Sequence, residues 1–431
     1  MVEQGESAIQ KIGRYRWVIC GLLFLAATIN YIDRQVISIL KQDVILTWPG
    51  WSELYFGRII SAFTLAYAIM MLFAGALIDR IGIRKGFLIA IIWWSFAAMG
   101  HAFSGTVLSF AIWRVLLGFG EAANFPASIK AVAEWFPKKE RALATGVFNS
   151  GTTVGAMTTP FLVKWILSYF KGCRIEGWQW VFILTGLLGF IWAVLWLWVY
   201  RRPEKHPRLS KEELAYIQSE PEEKIEKTPW MPLLKFKQTW AFTIAKCLTD
   251  PIWWVWLFWV PGFLSKKYGV DIKSVGVPIM VIYTMAAIGS IGGGWLSAIF
   301  IKRGWSVNAG RKTAMLICAL AVIPVIYASM TTNLWLSIIL IGLACGAHQG
   351  WSANLFTLAS DMFPKRAVGS VVGIGGAAGG IGGFIIANYV GGVLDKNPNN
   401  YLPIFIIAGS IYLVSLIIVQ FLVPRLEQAQ I

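Results

Sequence analysis

The chain is poor in charge. Only 14% of its 431 residues are Asp, Glu, Lys or Arg, against about 25% in an ordinary soluble domain. That shortage excludes a normal water-facing surface. Acid is scarcer than base, with 22 Asp+Glu against 38 Lys+Arg. Cysteine is sparse and scattered: Cys20, Cys173, Cys247, Cys318 and Cys345 form no C-x-x-C pair and no metal spacing. A disulfide framework or a bound metal is therefore not expected. No Walker loop or nucleotide fingerprint occurs, so ATP drive and cofactors are not expected either. No catalytic group with a partner stands out, and the chain does not read as an enzyme.

What fills the space is apolar. Hydrophobic residues make up 57% of the chain, in repeated runs of about 20, the length that crosses a bilayer as a helix. Lipid offers the backbone no hydrogen bonds, and the runs are too long for barrel strands, so they must be helices. Twelve spans are predicted, at about 17–40, 56–78, 87–104, 107–133, 141–168, 179–200, 240–265, 275–301, 311–330, 334–360, 366–394 and 401–423. The fold class is an all-α integral membrane protein.

The net charge of +16 could suggest nucleic acid, but its placement does not. With a cytoplasmic N-terminus, 25 of the 38 Lys+Arg fall in cytoplasmic segments and about nine outside. Four lie within spans: Arg34, Arg114, Lys130 and Lys246. This is the positive-inside bias; it places both termini in the cytoplasm and turns the basic surface toward anionic lipid. Lys11, Arg14 and Arg16 precede the first span like a signal-peptide n-region, but no cleavage site follows.

Charge returns at 201–238, a stretch rich in Lys, Arg, Glu and Pro. Within it, Ser210-Lys-Glu-Glu213 fits a capping box opening a short helix to about Gln218. This linker divides the chain into two six-helix bundles, 1–200 and 239–431. An internal repeat agrees with the division. Glu134-Trp-Phe-Pro-Lys138 recurs as Asp361-Met-Phe-Pro-Lys365, and the same offset of 227 residues carries Gly146 to Gly373 and Gly155 to Gly382. Parallel repeats of this kind are a transporter arrangement, two bundles rocking about a central site. The glycines crowding span 11 (Gly369 to Gly383) suit close helix packing.

Charges inside spans are costly and mark cavities or partners. Span 1 carries Asn30-Tyr31-Ile-Asp33-Arg34, and span 4 carries Arg114, Glu121, Asn124 and Pro126. A rise of about 1.5 Å per residue brings Asp33, Arg34 and Arg114 to one depth, with Glu121 about 10 Å further along the face of Arg114. Guanidinium groups present a rigid fork to carboxylates. Arg34 and Arg114 are thus candidate holders of an anionic substrate. A buried glutamate that lost its arginine to an incoming anion should take up a proton, which would couple proton to anion. Static salt bridges that only lock helices are the alternative. Lys130 can guide the anion inward or pair with Glu134 and snorkel, and Lys246 with Asp250, four apart, can form a local ion pair.

Between spans 2 and 3 lies Gly75-Ala-Leu-Ile-Asp79-Arg80-Ile-Gly82-Ile-Arg84-Lys85. The glycine allows close approach, the aspartate can cap a facing helix N-terminus, and the basic residues hold the loop in the cytoplasm. This stretch resembles the signature loop of the major facilitator superfamily of secondary transporters. Asn-Tyr-x-Asp-Arg, Arg-x6-Glu-Ala-x-x-x-Pro and Trp135-Phe136-Pro137 followed by Glu140-Arg141 and Phe148-Asn149-Ser150-Gly151 resemble its anion:cation symporters. Leu248-Thr-Asp250-Pro251-Ile-Trp253-Trp254 and Ala347-His348-Gln349 resemble its bacterial hexuronate transporters. The resemblance implies the major facilitator fold with pseudo-symmetric bundles, in a bacterial inner membrane. Residues matching Arg34 and Arg114 would bind the substrate carboxylate, those matching Asp33 and Glu121 would carry protons, and Tyr31, Tyr67 and Thr152 would contact the sugar acid. Trp253, Gln349 and Asn354 suit a sugar as a stacking face and amides, and His348 could donate to hydroxyls. Gly75, Asp79, Arg80, Gly82, Arg84, Lys85 and Arg141 fall to a cytoplasmic latch between the halves. The expected function is proton-coupled import of a sugar-acid anion, a hexuronate such as galacturonate or glucuronate, by a monomer. The alternatives are Na⁺ for H⁺, an aldonate for the hexuronate, and exchange or export of organic anions.

Overall fold

The computed structural model describes residues 13–42, 44–219 and 230–430. Lys11 and residues 220–229 of the linker lie outside them. Sixteen α-helices and no strand occur among the described residues. In the first part of the chain they are α1 (Tyr15–Leu40), α2 (Glu53–Ile81), α3 (Ile83–Gly100), α4 (Val107–Glu121), α5 (Asn124–Trp135), α6 (Lys138–Tyr169) and α7 (Gly177–Val199). Two short pieces follow, α8 (Lys211–Ile217) and α9 (Trp230–Leu233). The second part holds α10 (Lys237–Tyr268), α11 (Gly276–Lys302), α12 (Val307–Val322), α13 (Val325–Ala328), α14 (Leu334–Met362), α15 (Lys365–Lys396) and α16 (Leu402–Leu422).

These helices form the twelve crossings of a membrane protein, and their outer faces are apolar: Ile291 is 78% exposed and Phe421 83%. Water would not tolerate so continuous an apolar surface. Nine crossings are apolar enough to qualify on length and composition alone. The other three fall in 107–133, 141–168 and 240–265, where intramembrane charges, or small and polar residues, dilute the run.

Two expected spans are each split in two. Span 107–133 breaks at Ala122–Ala123, immediately after Glu121. Pro126 has no N–H to give the carbonyl four residues back, so a continuous helix would lose a rung there. Span 311–330 breaks at Ile323 before Pro324 for the same reason.

Bare glycines set the tightest packings. A Cβ on Gly289 would lie 2.1 Å from the Gly346 carbonyl oxygen, and one on Gly293 would lie 2.1 Å from Gly350 Cα. The backbones of α11 and α14 therefore touch directly, as small-x-x-x-small faces allow. The repeat is visible in the same currency. Gly155 of α6 meets α1 at Thr28, and its partner at offset 227, Gly382 of α15, meets α10 at Cys247.

Among the described residues, three polar ties join the two parts at the end remote from the chain termini. Glu53 of α2 accepts from Lys266 of α10 at 2.7 Å and also pairs with Lys41 at 2.6 Å. Leu54 N–H donates to Asp395 (3.3 Å), and Lys164 Nζ donates to the Lys273 carbonyl (2.9 Å). Beside them α2 and α15 meet at Gly57 and Gly391, where a Cβ on Gly57 would lie 2.5 Å from the Ala387 oxygen.

At the other end, Ser210 caps the Glu213 N–H (3.1 Å), but the reciprocal half of the expected capping box is missing and the helix stops at Ile217. Glu213 instead reaches the first turn of α1, accepting from the N–H groups of Tyr15 and Arg16 and from the Arg16 side chain, each at 3.1 Å. Arg16 also pairs with Glu140 at 2.8 Å, which accepts from Tyr216 as well. α8 is thereby fastened to α1 and α6.

Candidate functional site

α1, α2, α4 and α10 bring one set of charges and rings together. Arg34 binds Glu121 through Nε (2.8 Å) and Nη2 (2.7 Å), both to Oε2, and Nη2 also donates to Asn30 Oδ1 at 3.1 Å. Its guanidinium lies among the rings of Tyr31, Tyr67, Trp254 and Phe63, at 4.7, 5.0, 5.1 and 5.4 Å from their centroids. Such a shell suits arginine, whose flat delocalised cation sheds water easily and stacks on π faces. Tyr31 follows from its place one turn before Arg34, and Phe63 and Tyr67 are one turn apart on α2.

Arg114 is fully buried, and one weak bond is described for it, from Nη1 to the Arg34 carbonyl at 3.4 Å. Among the described residues its Nε and Nη2 have no hydrogen-bond partner. Glu121 Oε1 has none among them either, and the Asp33 carboxylate, 2% exposed, has no well-formed bond although the Thr185 hydroxyl lies close by. Arg114, Glu121 and the Thr185 hydroxyl of α7 are the polar groups that act on Asp33. The shared depth of Asp33, Arg34 and Arg114 is thus observed, and the partner of Glu121 is Arg34 on another helix. Buried polar groups are normally satisfied. Here a guanidinium and a carboxylate oxygen stand open beside a closed ion pair, an arrangement able to receive an anion at one and a proton at the other.

Across from this cluster, Trp253 stacks on His348 (5.4 Å, 15°), and His348 Nδ1 is engaged by the Tyr412 hydroxyl at 2.6 Å. Asn354 is turned away: its amide donates to the carbonyls of Gly293 (2.8 Å) and Gly350 (2.9 Å) and ties α14 to α11. Gln349 is half-buried. Thr152 on α6 bonds back to the Asn149 carbonyl at 2.7 Å.

The signature loop sits at the end nearer the chain termini. The bonds described for Lys130 run to α2 rather than to Glu134. They reach Asp79 and the Gly75 carbonyl, drawing α5 to α2, while Glu134 takes Tyr200 and Arg202. Gly82 holds φ +82°, a left-handed turn that favours glycine, and Arg84 donates to the Leu197 carbonyl at 2.6 Å. Arg80 and Lys85 are exposed. The bonds described for Arg141 run to Phe136 and Ala133 at the end of α5, within its own half.

Phe63 and Gln35 are not singled out by their chemistry in the sequence, and Asn30 enters only as part of the Asn-Tyr-x-Asp-Arg motif. Gln35 is fully buried with both amide atoms unpartnered. Its adjacency to Asp33-Arg34 was the available signal.

Comparison with known proteins agrees with this architecture. A family profile described as Major Facilitator Superfamily matches residues 23–387 and 304–430. The chain is 30% identical to the hexuronate transporter of Escherichia coli K12 over 98% of both chains. It is 31% identical to the galacturonate transporter of Dickeya chrysanthemi over 73% of this chain and 90% of that one. The crystal structure of a D-xylose-proton symporter superposes with a TM-score of 0.72 at 16% identity, covering 97% of this chain and all of the other. Twelve membrane crossings in two repeated bundles, a buried charge cluster on α1 and α4 and the matching profile lead to one conclusion: the chain is a membrane transporter, not an enzyme, and belongs to the major facilitator superfamily.

Proposed function

We propose that the chain imports a sugar-acid monoanion of the hexuronate class together with protons, by alternating access between the halves 1–200 and 239–431, with 201–238 as a cytoplasmic linker. The observation that carries this reading is Arg114, fully buried with two guanidinium nitrogens unpartnered, beside the Arg34–Glu121 pair. A substrate carboxylate docks on Arg114 and then competes with Glu121 for Arg34. Glu121, displaced into a low-dielectric site, takes a proton, because burial favours its neutral form once the cation has left. Asp33 is a second proton site. Tyr31, Tyr67, Trp253 and Trp254 offer apolar faces to the sugar, with Thr152, His348 and Gln349 near its hydroxyls. Relatives named as hexuronate and galacturonate transporters support the substrate class. Lys and Arg concentrated at the end holding the termini support a cytoplasmic placement of that end, in a bacterial inner membrane, where the signature loop and Arg141 govern the switch.

Energetics favour coupling. An anion entering against about 100 mV, inside negative, meets about 2.3 kcal/mol. One proton cancels that charge, and a second lets the potential drive uptake.

The test is uptake of radiolabelled galacturonate and glucuronate into proteoliposomes, with and without an inward-acid gradient, for the wild type and Glu121→Gln. Gradient-driven uptake is expected in the wild type. In the variant it should vanish while counterflow exchange survives. Uptake indifferent to pH in both proteins would overturn the coupling in favour of exchange. Transport of other anions only would remove the hexuronate assignment.

A further inference from the structure

The second half carries an intramembrane ion pair that the reading above does not use. Lys246 of α10, 6% exposed, binds Asp250 one turn later at 2.6 Å. Its ammonium lies 4.4 Å from the Phe356 ring centroid and within electrostatic reach of His348. The Asp250 carboxylate is the more open partner, its side chain 22% exposed. The facing helix is bare at this point. A Cβ on Gly379 would lie 2.6 Å from Asp250 Oδ2, and one on Gly375 would press on Phe242 and on Lys246 Cγ at 3.2 Å. α15 thus leaves room for both charged side chains.

The pair is aligned with the first site. Lys246, Asp250 and Trp254 recur every four residues and share a face of α10, and Trp254 lies against Arg34. Lys246 starts about 12 Å before Trp254 along the axis, and its ammonium reaches one turn nearer to meet Asp250. An extended six-carbon chain spans about 6 Å between its end carbons, from C–C bonds of about 1.5 Å. With one carboxylate on the arginines, the far end of such a chain comes within reach of Lys246.

We propose that Lys246 and Asp250 form a second anion subsite, facing the end of the substrate remote from Arg34 and Arg114, and that six-carbon sugar diacids bind with their second carboxylate on Lys246 in place of Asp250. The pair repeats in the second half the logic of the first: a cation held by an internal carboxylate that an incoming one can replace. Lys246 is a specificity determinant, separating diacids from monoacids. The inference rests on the sugar-acid reading of the central site.

The experiment is ligand-induced thermal stabilisation of the purified protein, titrated with galactarate, galactonate and galacturonate. The wild type, Lys246→Met, Lys246→Arg and Asp250→Asn are compared, with unliganded melting confirming that each is folded. Lys246→Met should weaken galactarate by about tenfold or more, as expected for losing one member of a buried charge pair, and shift galactonate by less than about threefold. Lys246→Arg should keep galactarate binding, and Asp250→Asn should tighten it by removing the internal competitor. If Lys246→Met does not fold, the double variant Lys246→Met/Asp250→Asn removes both charges and carries the same expectation. Equal weakening of diacid and monoacid, or a wild type that binds monoacids but not galactarate, overturns the subsite alone. A wild type stabilised by no sugar acid overturns the sugar-acid reading and the subsite with it.

Discussion

Arg34→Lys is expected to abolish sugar-acid transport, lowering kcat/KM by about a hundredfold or more while the protein still folds. The substitution keeps the positive charge, so simple charge counting would forecast little change. The geometry forecasts otherwise. Arg34 uses Nε and Nη2 together on Glu121 and extends Nη2 to Asn30. An ammonium cannot reproduce that fork, and it parts with water less readily among the rings of Tyr31, Phe63, Tyr67 and Trp254. Spoiling one member of a buried, hydrogen-bonded charge pair costs about 3 kcal/mol, which is about a hundredfold in an equilibrium. Initial rates of galacturonate counterflow, which need no proton gradient, measure the effect apart from coupling. Counterflow within tenfold of wild type would show that Arg34 acts only as a diffuse charge, and the exchange of carboxylates on its fork would have to be abandoned.

Gly57→Val should lower uptake more than tenfold by a different route. At this position α2 and α15 touch backbone to backbone, with a Cβ on Gly57 falling 2.5 Å from the Ala387 oxygen and 2.9 Å from Gly391 Cα. Neither neighbour is the end of a flexible side chain, so the helices must separate. Separation would also stretch the bond from Leu54 to Asp395 and the tie of Glu53 to Lys266. Overpacking of this kind costs about 1–3 kcal/mol, enough to invert a balance between two conformers of similar energy. Spin labels at positions 51 and 399 should report a longer mean distance in the variant. An unchanged distance with normal uptake would mean that this contact is not part of the cycle.

The extent of the fold was legible because bilayer thickness imposes a run length, and the chain obeys it. Its interruptions were harder to read. Hydropathy runs straight through Ala122–Ala123, and only Pro126, read for its missing N–H rather than its apolar ring, signals the break. The depth of Asp33, Arg34 and Arg114 followed from helical rise alone. The pairing did not. Arg114 and Glu121, seven apart on one face, invite association, yet Glu121 turns to Arg34 on α1, because pairing across helices depends on their rotation about their own axes. Lys130 shows the same limit: Glu134 lies one turn away, but Asp79 on a packed neighbour receives the ammonium. Partners within a helix can be counted along the chain, whereas partners between helices need the packing.

Lys41 also has a chemical consequence. Its primary amine is wholly buried, held against Glu53 and under the rings of Phe56 and Trp259. A small acylating reagent cannot reach it while the remote end is closed. Each opening of that end would expose the amine briefly, so the extent of acylation at Lys41, read by peptide mass mapping, becomes a clock that counts excursions. The same reaction would erase one of the two charges held against Glu53, leaving Lys266 of α10 alone to make that tie between the parts.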